Sequence, residues 1–177
     1  MSMIREALRK FGYTAEETLN FGYAEGGEVA PTEPEVEFQG FGKIQRLYDS
    51  AKGVIITEKL DGTNAAIHVR DGRVVGIQSR KRLITPEDDN FGFARWVTDN
   101  AEALADVLGD GLHFGEWYGK GIQRGYGIDE KRFALFNVAR WEGVYDARVP
   151  QLESVPVLFN GSIEDDGLDG AVSVATT

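Results

Sequence analysis

The sequence has no cysteine among its 177 residues and only two histidines, His68 and His113. The first absence excludes disulfides and thiolate metal sites, and two imidazoles are too few for a histidine-rich zinc site. No apolar stretch approaches the roughly 20 residues that a membrane-spanning helix needs. The N-terminal stretch MSMIREALRKFGY is too mixed in charge for a secretory signal, so we expect a cytoplasmic protein with no membrane partner.

Basic side chains are scarce, with 19 lysines and arginines against 29 acidic residues and a net charge of −10. This balance argues against unspecific binding of nucleic acid. The charge is unevenly distributed, because residues 41–82 carry nine basic and four acidic side chains while both flanking segments are net acidic. If the protein handles phosphate groups, we expect them near this middle segment.

Apolar periodicity predicts an α+β fold of antiparallel strands with few helices. Asp71-Gly72 is a typical hairpin turn between two of the strands. Thr85-Pro86-Glu87-Asp88 resembles a helix start, helical spacing continues to Leu108, and Gly109 is a plausible stop. Residues 1–37 are predicted to form an N-terminal extension, a short helix at 4–10 followed by a flexible loop. The predicted strands are 54–57, 65–69, 74–78, 112–117, 133–138 and 155–159, the last at an edge because of its proline.

The segment Glu58-Lys59-Leu60-Asp61-Gly62-Thr63-Asn64 follows the first strand directly. A lysine at a strand end followed by a glycine turn places an ammonium group at the mouth of a sheet, beside backbone amides that can approach a ligand. Taken alone, this short pattern favours a hairpin with an exposed lysine.

Three further segments carry residues suited to a nucleotide. Ser79-Arg80-Lys81-Arg82 follows the strand that the hairpin returns, which leaves its cations within reach of a phosphate near Lys59. Glu116 lies in an aromatic strand, where a buried carboxylate needs a partner such as a ligand hydroxyl. Phe133 and Phe136 are predicted on opposite faces of a strand, so that one can pack in the core while the other faces a base. Each segment alone is also compatible with a solvated or core position. His68 is interpreted as a surface residue, and the tryptophans as core or edge packing.

Together and in this order, the four segments resemble the motifs of the covalent nucleotidyltransferase superfamily, which comprises ATP-dependent DNA ligases, RNA ligases and mRNA capping enzymes. Lys59-Leu60-Asp61-Gly62 resembles the nucleophile motif. The resemblance is strongest to the RNA ligase 2-like family, through Gly62-Thr63-Asn64 and the run FGEWYGKGIQ at 114–123 that leads into RFALFNV.

This resemblance implies an ATP-grasp-like nucleotidyltransferase (adenylylation) domain over residues 38–177. It implies an ATP-dependent enzyme of RNA repair that uses Mg²⁺ or Mn²⁺ and forms lysyl-AMP on Lys59. The AMP would pass to an RNA 5′-phosphate, which is then joined to a 3′-hydroxyl. The residues that the resemblance assigns to nucleotide binding are Glu58, Asn64, Arg80, Glu116 and Phe136.

The family's later motifs, an E-G-x-V strand and a lysine-bearing strand, have no clear counterpart in the sequence. We interpret D-G-A-V-S-V at 169–174 as a coincidence rather than a degenerate metal motif. The domain is therefore expected to be incomplete at its C-terminal end. Two alternatives stay open, namely a truncated or degenerate homologue that binds nucleotide without catalysis, and a DNA ligase.

Overall fold

The structure, a computed structural model, describes residues 36–42 and 54–161. These residues all belong to one unit of the chain, Val36–Thr177. The predicted helix at 4–10, the predicted loop before residue 36 and the D-G-A-V-S-V segment lie outside the described residues. The boundary predicted between residues 37 and 38 stays a prediction.

The described residues form seven strands, which are β1 Val54–Thr57, β2 Thr63–Arg70, β3 Arg73–Ser79, β4 Gly111–Gly119, β5 Lys131–Leu135, β6 Leu152–Ser154 and β7 Val157–Gly161. A five-stranded sheet with the strand order β3-β2-β4-β5-β6 forms the centre of the fold, and β1 pairs with β7 in a separate two-stranded sheet. The pairing is antiparallel except between β5 and β6, which run parallel. The prediction of antiparallel sheets is therefore wrong at this one pair, where the chain passes through a short helix and a loop before it returns.

The β2–β3 hairpin forms as the sequence predicts. Its turn residues Asp71 and Gly72 have φ angles of 52° and 67°. Positive φ at both central residues matches the right-handed twist of the strands, which is why Asp-Gly is common there. The register shifts by one residue between His68 and Val69, so that Ala65 pairs with Ser79, the last residue of β3 before Arg80.

Helices cover one face of the sheet. They are α1 Phe93–Asp99, α2 Ala101–Leu108 and the single turn α3 Val138–Trp141. Phe93, Trp117 and Phe133 meet beneath α1 with ring centroids 4.9 and 5.4 Å from Phe93, within the range of favourable aromatic pairs. Trp117 and Trp141 are buried in this main core, in agreement with the core or edge packing predicted for the tryptophans.

The main helix begins eight residues later than Thr85, where the sequence pattern placed it. Thr85 does accept a hydrogen bond from the Asp88 amide at 3.2 Å, but the chain does not continue as a helix. The Asp89 carboxylate accepts hydrogen bonds from the Ala94 and Arg95 amides at 2.8 and 3.2 Å, which satisfies amides of the first turn of α1. The stop at Gly109, with φ 63°, is confirmed.

The opposite face of the sheet, which we call the non-helical face, carries alternate residues of the same strands. Here His68 is buried, and its Nε2 lies 2.7 Å from the Gln78 side-chain oxygen. The prediction of a surface histidine is therefore wrong. Gln78 also exchanges two hydrogen bonds with the Gln39 backbone, so that residues 36–42 lie across this face. Within the part of the chain that the structure describes, no helix has the length and apolarity to cross a membrane.

Candidate nucleotide site

Residues 58–62, which we call the nucleophile turn after the role predicted for Lys59, connect β1 to β2 over the non-helical face. The Glu58 amide donates a hydrogen bond of 2.9 Å to the Pro156 carbonyl oxygen. Leu60 is buried in a second, smaller apolar cluster with Tyr118, Ala134, Val138 and Val155. At the far end, the Gly62 amide donates to Glu116 Oε1 at 3.1 Å. Lys59 therefore projects as an exposed side chain from a turn that is held at both ends.

Gly62 is required at its position by a close approach to β4. A Cβ atom there would lie 2.4 Å from the Trp117 carbonyl oxygen and 2.7 Å from Tyr118 Cβ. Contacts this short do not occur between real side-chain carbons and backbone atoms. The glycine of the K-L-D-G pattern thus lets the nucleophile turn lie directly on the sheet.

Glu116 lies at the centre of the site. It pairs across the sheet with Asn64 on one side and Ala134 on the other, so the three side chains share the non-helical face. Burial raises the pKa of the Glu116 carboxyl, while the Gly62 amide and then the charges of Lys59 and Arg80 act to lower it. The turn that carries Lys59 reaches Glu116 through the Gly62 amide, and the charges of Lys59 and Arg80 both act on this carboxyl.

The oxygen atoms of Glu116 are in different environments. Oε1 accepts the Gly62 amide, whereas Oε2 has no hydrogen-bond partner among residues 36–42 and 54–161. The Lys59 amine likewise has no hydrogen bond or ion pair within the described residues. A half-buried acceptor and an exposed amine are thus both available to a ligand on this face.

The three consecutive cations after β3 do not act as one cluster. Arg82 forms a bidentate pair with the Asp88 carboxylate, with N–O distances of 2.5 and 2.9 Å. Its guanidinium is therefore committed to the loop that leads to α1. Arg80 and Lys81 remain exposed, and Arg80 is the one whose charge reaches Glu116.

Phe136 does not lie in a strand, because β5 ends at Leu135. Its amide donates to the Phe114 carbonyl oxygen at 3.0 Å, after which the chain turns into α3. The Phe136 ring packs against the apolar cluster that contains Leu60. Phe133 is buried in the main core, so the two rings do separate as predicted, although the turn after Leu135 rather than strand alternation places Phe136.

Phe41, which the sequence analysis did not single out, adds an aromatic ring beside Phe136. Phe41 lies with its ring centroid 5.1 Å from those of both Phe114 and Phe136. Together with Asn137 and Arg140, the three rings line a cavity of about 300 Å³. Phe114 and Glu116 are alternate residues of β4, so their side chains share the non-helical face, and His113 and Trp141 also line the cavity.

No group of three or more histidine, aspartate or glutamate side chains converges as metal ligands in the part of the chain that the structure describes. The chemistry of the described residues is suited to a nucleotide, since the charges of Lys59 and Arg80 act on a carboxylate that has one unpaired oxygen, and aromatic rings line a cavity that begins two residues along β4.

Comparison with known proteins agrees with this arrangement. The sequence model of the RNA ligase family matches residues 52–171. The chain belongs to the RNA ligase family. That match includes Lys59, Arg80, Glu116 and Phe136, and it confirms the family predicted from the motifs. No curated protein sequence matches the chain significantly.

Among solved structures, one similar to this RNA ligase family member is a mutant RNA ligase of Naegleria gruberi determined with AMP and Mn. The sequences are 19% identical and the TM-score is 0.46. The alignment covers 65% of this chain and 40% of that chain.

The pKa of Glu116 leads to a prediction about stability. Because burial raises this pKa in the folded state, the carboxyl favours folding most fully at low pH, and this contribution is lost as the pH rises through the folded-state pKa. Glu116→Gln keeps an oxygen for the Gly62 amide but cannot ionise. We expect the variant to melt a few degrees above the wild type at pH 7, with the difference vanishing near pH 4.

Thermal unfolding of both proteins across this pH range is the measurement. Glu87→Gln, at an exposed position, is the control and should track the wild type. A Glu116→Gln protein that is less stable than the wild type at pH 7, or a stability difference that does not change with pH, would contradict the prediction.

Proposed function

We propose that this chain is the nucleotide-binding domain of an ATP-dependent RNA ligase, and that Lys59 is its covalent nucleophile. The observation that carries the proposal is the packing of the turn that bears Lys59 against Glu116 of β4, where the charges of Lys59 and Arg80 both act, in a member of the RNA ligase family. The chemistry below is argued from these side chains.

The first step is attack of the unprotonated Lys59 amine on the α-phosphorus of ATP. A P–N bond forms, and the bond to the oxygen that bridges to the β-phosphate breaks. Pyrophosphate leaves with the electron pair, and the amine releases its proton to solvent. Arg80 favours this step because a cation beside the reacting phosphate stabilises the negative charge that develops on it.

Glu116 and the aromatic residues orient the nucleotide. The unpaired Oε2 of Glu116 accepts a hydrogen bond from a ribose hydroxyl, and Asn64, directly opposite on β2, lines the same pocket. Phe136 stacks on the adenine, and Glu58 lies beside the base. A base attached to a ribose at Glu116 extends toward the cavity at Phe114 and Phe136, two residues along the strand.

Two further transfers complete the reaction. An oxygen of an RNA 5′-phosphate attacks the phosphorus of lysyl-AMP, the P–N bond breaks, and Lys59 is regenerated. A 3′-hydroxyl then attacks the activated 5′-phosphate and displaces AMP. The exposed Arg80 and Lys81 lie where the RNA phosphate would approach.

Incubation of the chain with ATP labelled in the α-phosphate, in the presence of Mg²⁺ or Mn²⁺, tests the proposal. We expect label that stays on the protein through denaturing electrophoresis, and none from ATP labelled in the γ-phosphate. Subsequent addition of RNA with a 5′-phosphate should discharge the label, whereas RNA with a 5′-hydroxyl should not. ATP binding without any label would instead identify a nucleotide-binding homologue without catalysis, and discharge by DNA but not RNA ends would identify a DNA ligase.

A further inference from the structure

The loop that follows β4 approaches the nucleophile turn. Its base is closed by a hydrogen bond of 2.9 Å from the Lys120 amide to the Glu130 carbonyl oxygen, and Ile122 anchors it in the main core as a fully buried residue. This loop, residues 120–130, extends over the non-helical face and presents Tyr126 near its tip. The loop thus brings Tyr126 against the apolar cluster that contains Leu60.

Tyr126 adopts an unusual backbone conformation. Its φ angle is +52°, in the left-handed region that a bulky residue seldom occupies without compensation. Gly125 and Gly127 on either side also have positive φ, at 70° and 66°. Glycine adopts this conformation without steric cost, whereas the tyrosine between them does not. Strain of this kind persists where the surroundings over-determine the conformation, commonly at functional sites.

The ring and the hydroxyl of Tyr126 each have a defined partner. The ring packs edge-on against Tyr118, with centroids 5.3 Å apart, and the Tyr118 hydroxyl donates in turn to Glu153 on β6. The Tyr126 hydroxyl oxygen accepts a hydrogen bond from the Asp61 amide at 2.5 Å, across 65 residues of sequence. The nucleophile turn is thus connected through two tyrosines to the edge strand of the sheet.

The hydrogen bond from the Asp61 amide to Tyr126 holds a part of the nucleophile turn that no other contact described above holds. The Glu58 and Gly62 amides hold the two ends, and the Leu60 side chain holds the underside. The Asp61 amide, two residues from the nucleophile, is held by Tyr126. Loss of the hydroxyl would free this part of the turn while its ends and its apolar anchor remain.

We propose that Tyr126 is a positioning residue that holds the Lys59 turn in the geometry required for attack on the α-phosphate. This inference rests on the proposed function, because it assigns Tyr126 a role in the same reaction. Tyr126 acts through Asp61 and the backbone and takes no part in proton transfer. A nucleophile displaced by about an ångström reacts far more slowly, so one hydrogen bond at this position affects rate more than binding.

The decisive variant is Tyr126→Phe, which removes the hydroxyl and keeps the ring. We expect lysyl-AMP formation to slow by about five- to tenfold, the range for loss of one hydrogen bond, while the Kd for ATP changes by less than about twofold. The pH profile of labelling should keep its shape at a lower plateau, since the hydroxyl does not alter the ionisation of the site. Tyr145→Phe is the matched control, because Tyr145 is 74% exposed, and it should behave as the wild type.

Amide hydrogen exchange of the peptide covering residues 58–62 provides a readout that does not depend on activity. Tyr126→Phe should exchange about three- to tenfold faster there, with no change in peptides from α2, whereas Tyr145→Phe should match the wild type. Unchanged exchange of this peptide overturns the inference whether or not the chain is active. A wild-type protein that takes up no label contradicts the proposed function instead. If the wild type is labelled and Tyr126→Phe is labelled at the same rate, the positioning role is overturned and the proposed function stands.

Discussion

Lys59→Ala is expected to abolish the covalent labelling of the protein by ATP, with a loss of at least about a thousandfold that places the signal below detection. The reason is chemical, because the amine nitrogen forms the P–N bond and alanine offers no atom in its place. The fold should tolerate the change. Lys59 is exposed and has no hydrogen bond or ion pair within the described residues, so the free energy of unfolding should change by no more than about 0.5 kcal/mol.

Lys59→Arg separates a nucleophile from a simple phosphate-binding cation. A guanidinium keeps the positive charge but does not lose its proton near neutral pH, so it can hold a phosphate without attacking it. We expect Lys59→Arg to bind ATP and to remain unlabelled. Lys120→Ala, which removes an exposed lysine outside the candidate site, is the control and should be labelled readily. Labelling of Lys59→Arg at a rate near that of the wild type would place the nucleophile elsewhere.

The positions of Lys59, Arg80 and Glu116 could be predicted because local rules determine them. The Asp-Gly turn closes the β2–β3 hairpin, and pairing of β2 with β4 brings Asn64 opposite Glu116. These steps follow from strand alternation and one hairpin, whereas the one-residue register shift between His68 and Val69, which pairs Ala65 with Ser79, was not predicted. Motifs on strands that are neighbours in the sheet are therefore brought close together in the fold.

Features that depend on distant contacts could not be predicted in the same way. The pattern Thr85-Pro86-Glu87-Asp88 has the residues of a helix start, yet Arg82 holds Asp88 and the Asp89 carboxylate caps a helix that begins at Phe93. Local propensity was overridden there by side-chain contacts. The three-residue strand β6 is too short to show any period, so its parallel pairing with β5 had no signal.

Tyr126 shows the same limit within the candidate site. Its contact with Asp61 spans 65 residues, and no periodicity links the two. The one available signal was an aromatic residue between two glycines in the stretch that follows Glu116. Such a pattern indicates a backbone conformation that requires glycine, and it leaves open why a bulky side chain is placed there. The tertiary contact supplies that reason.

Gly62→Ala is expected to disable the site through one added methyl group. Its Cβ would lie 2.4 Å from the Trp117 carbonyl oxygen, and that oxygen belongs to a central strand whose backbone is fixed by neighbours on both sides. The nucleophile turn must therefore move away from β4 and give up the bond from the Gly62 amide to Glu116. We expect labelling to slow by about a hundredfold, the typical effect of a displacement of about an ångström, and a loss of about 1–3 kcal/mol in the free energy of unfolding.

The matched control is Gly42→Ala, because a Cβ at that glycine meets nothing within 4 Å. Urea unfolding and the rate of lysyl-AMP formation should both stay at wild-type values in the control. Gly62→Ala tests the steric requirement independently of the lysine, since Lys59 itself is unchanged. A Gly62→Ala protein that unfolds earlier in urea but is labelled at the wild-type rate would show that close packing of the turn on β4 contributes to stability and not to the geometry of attack.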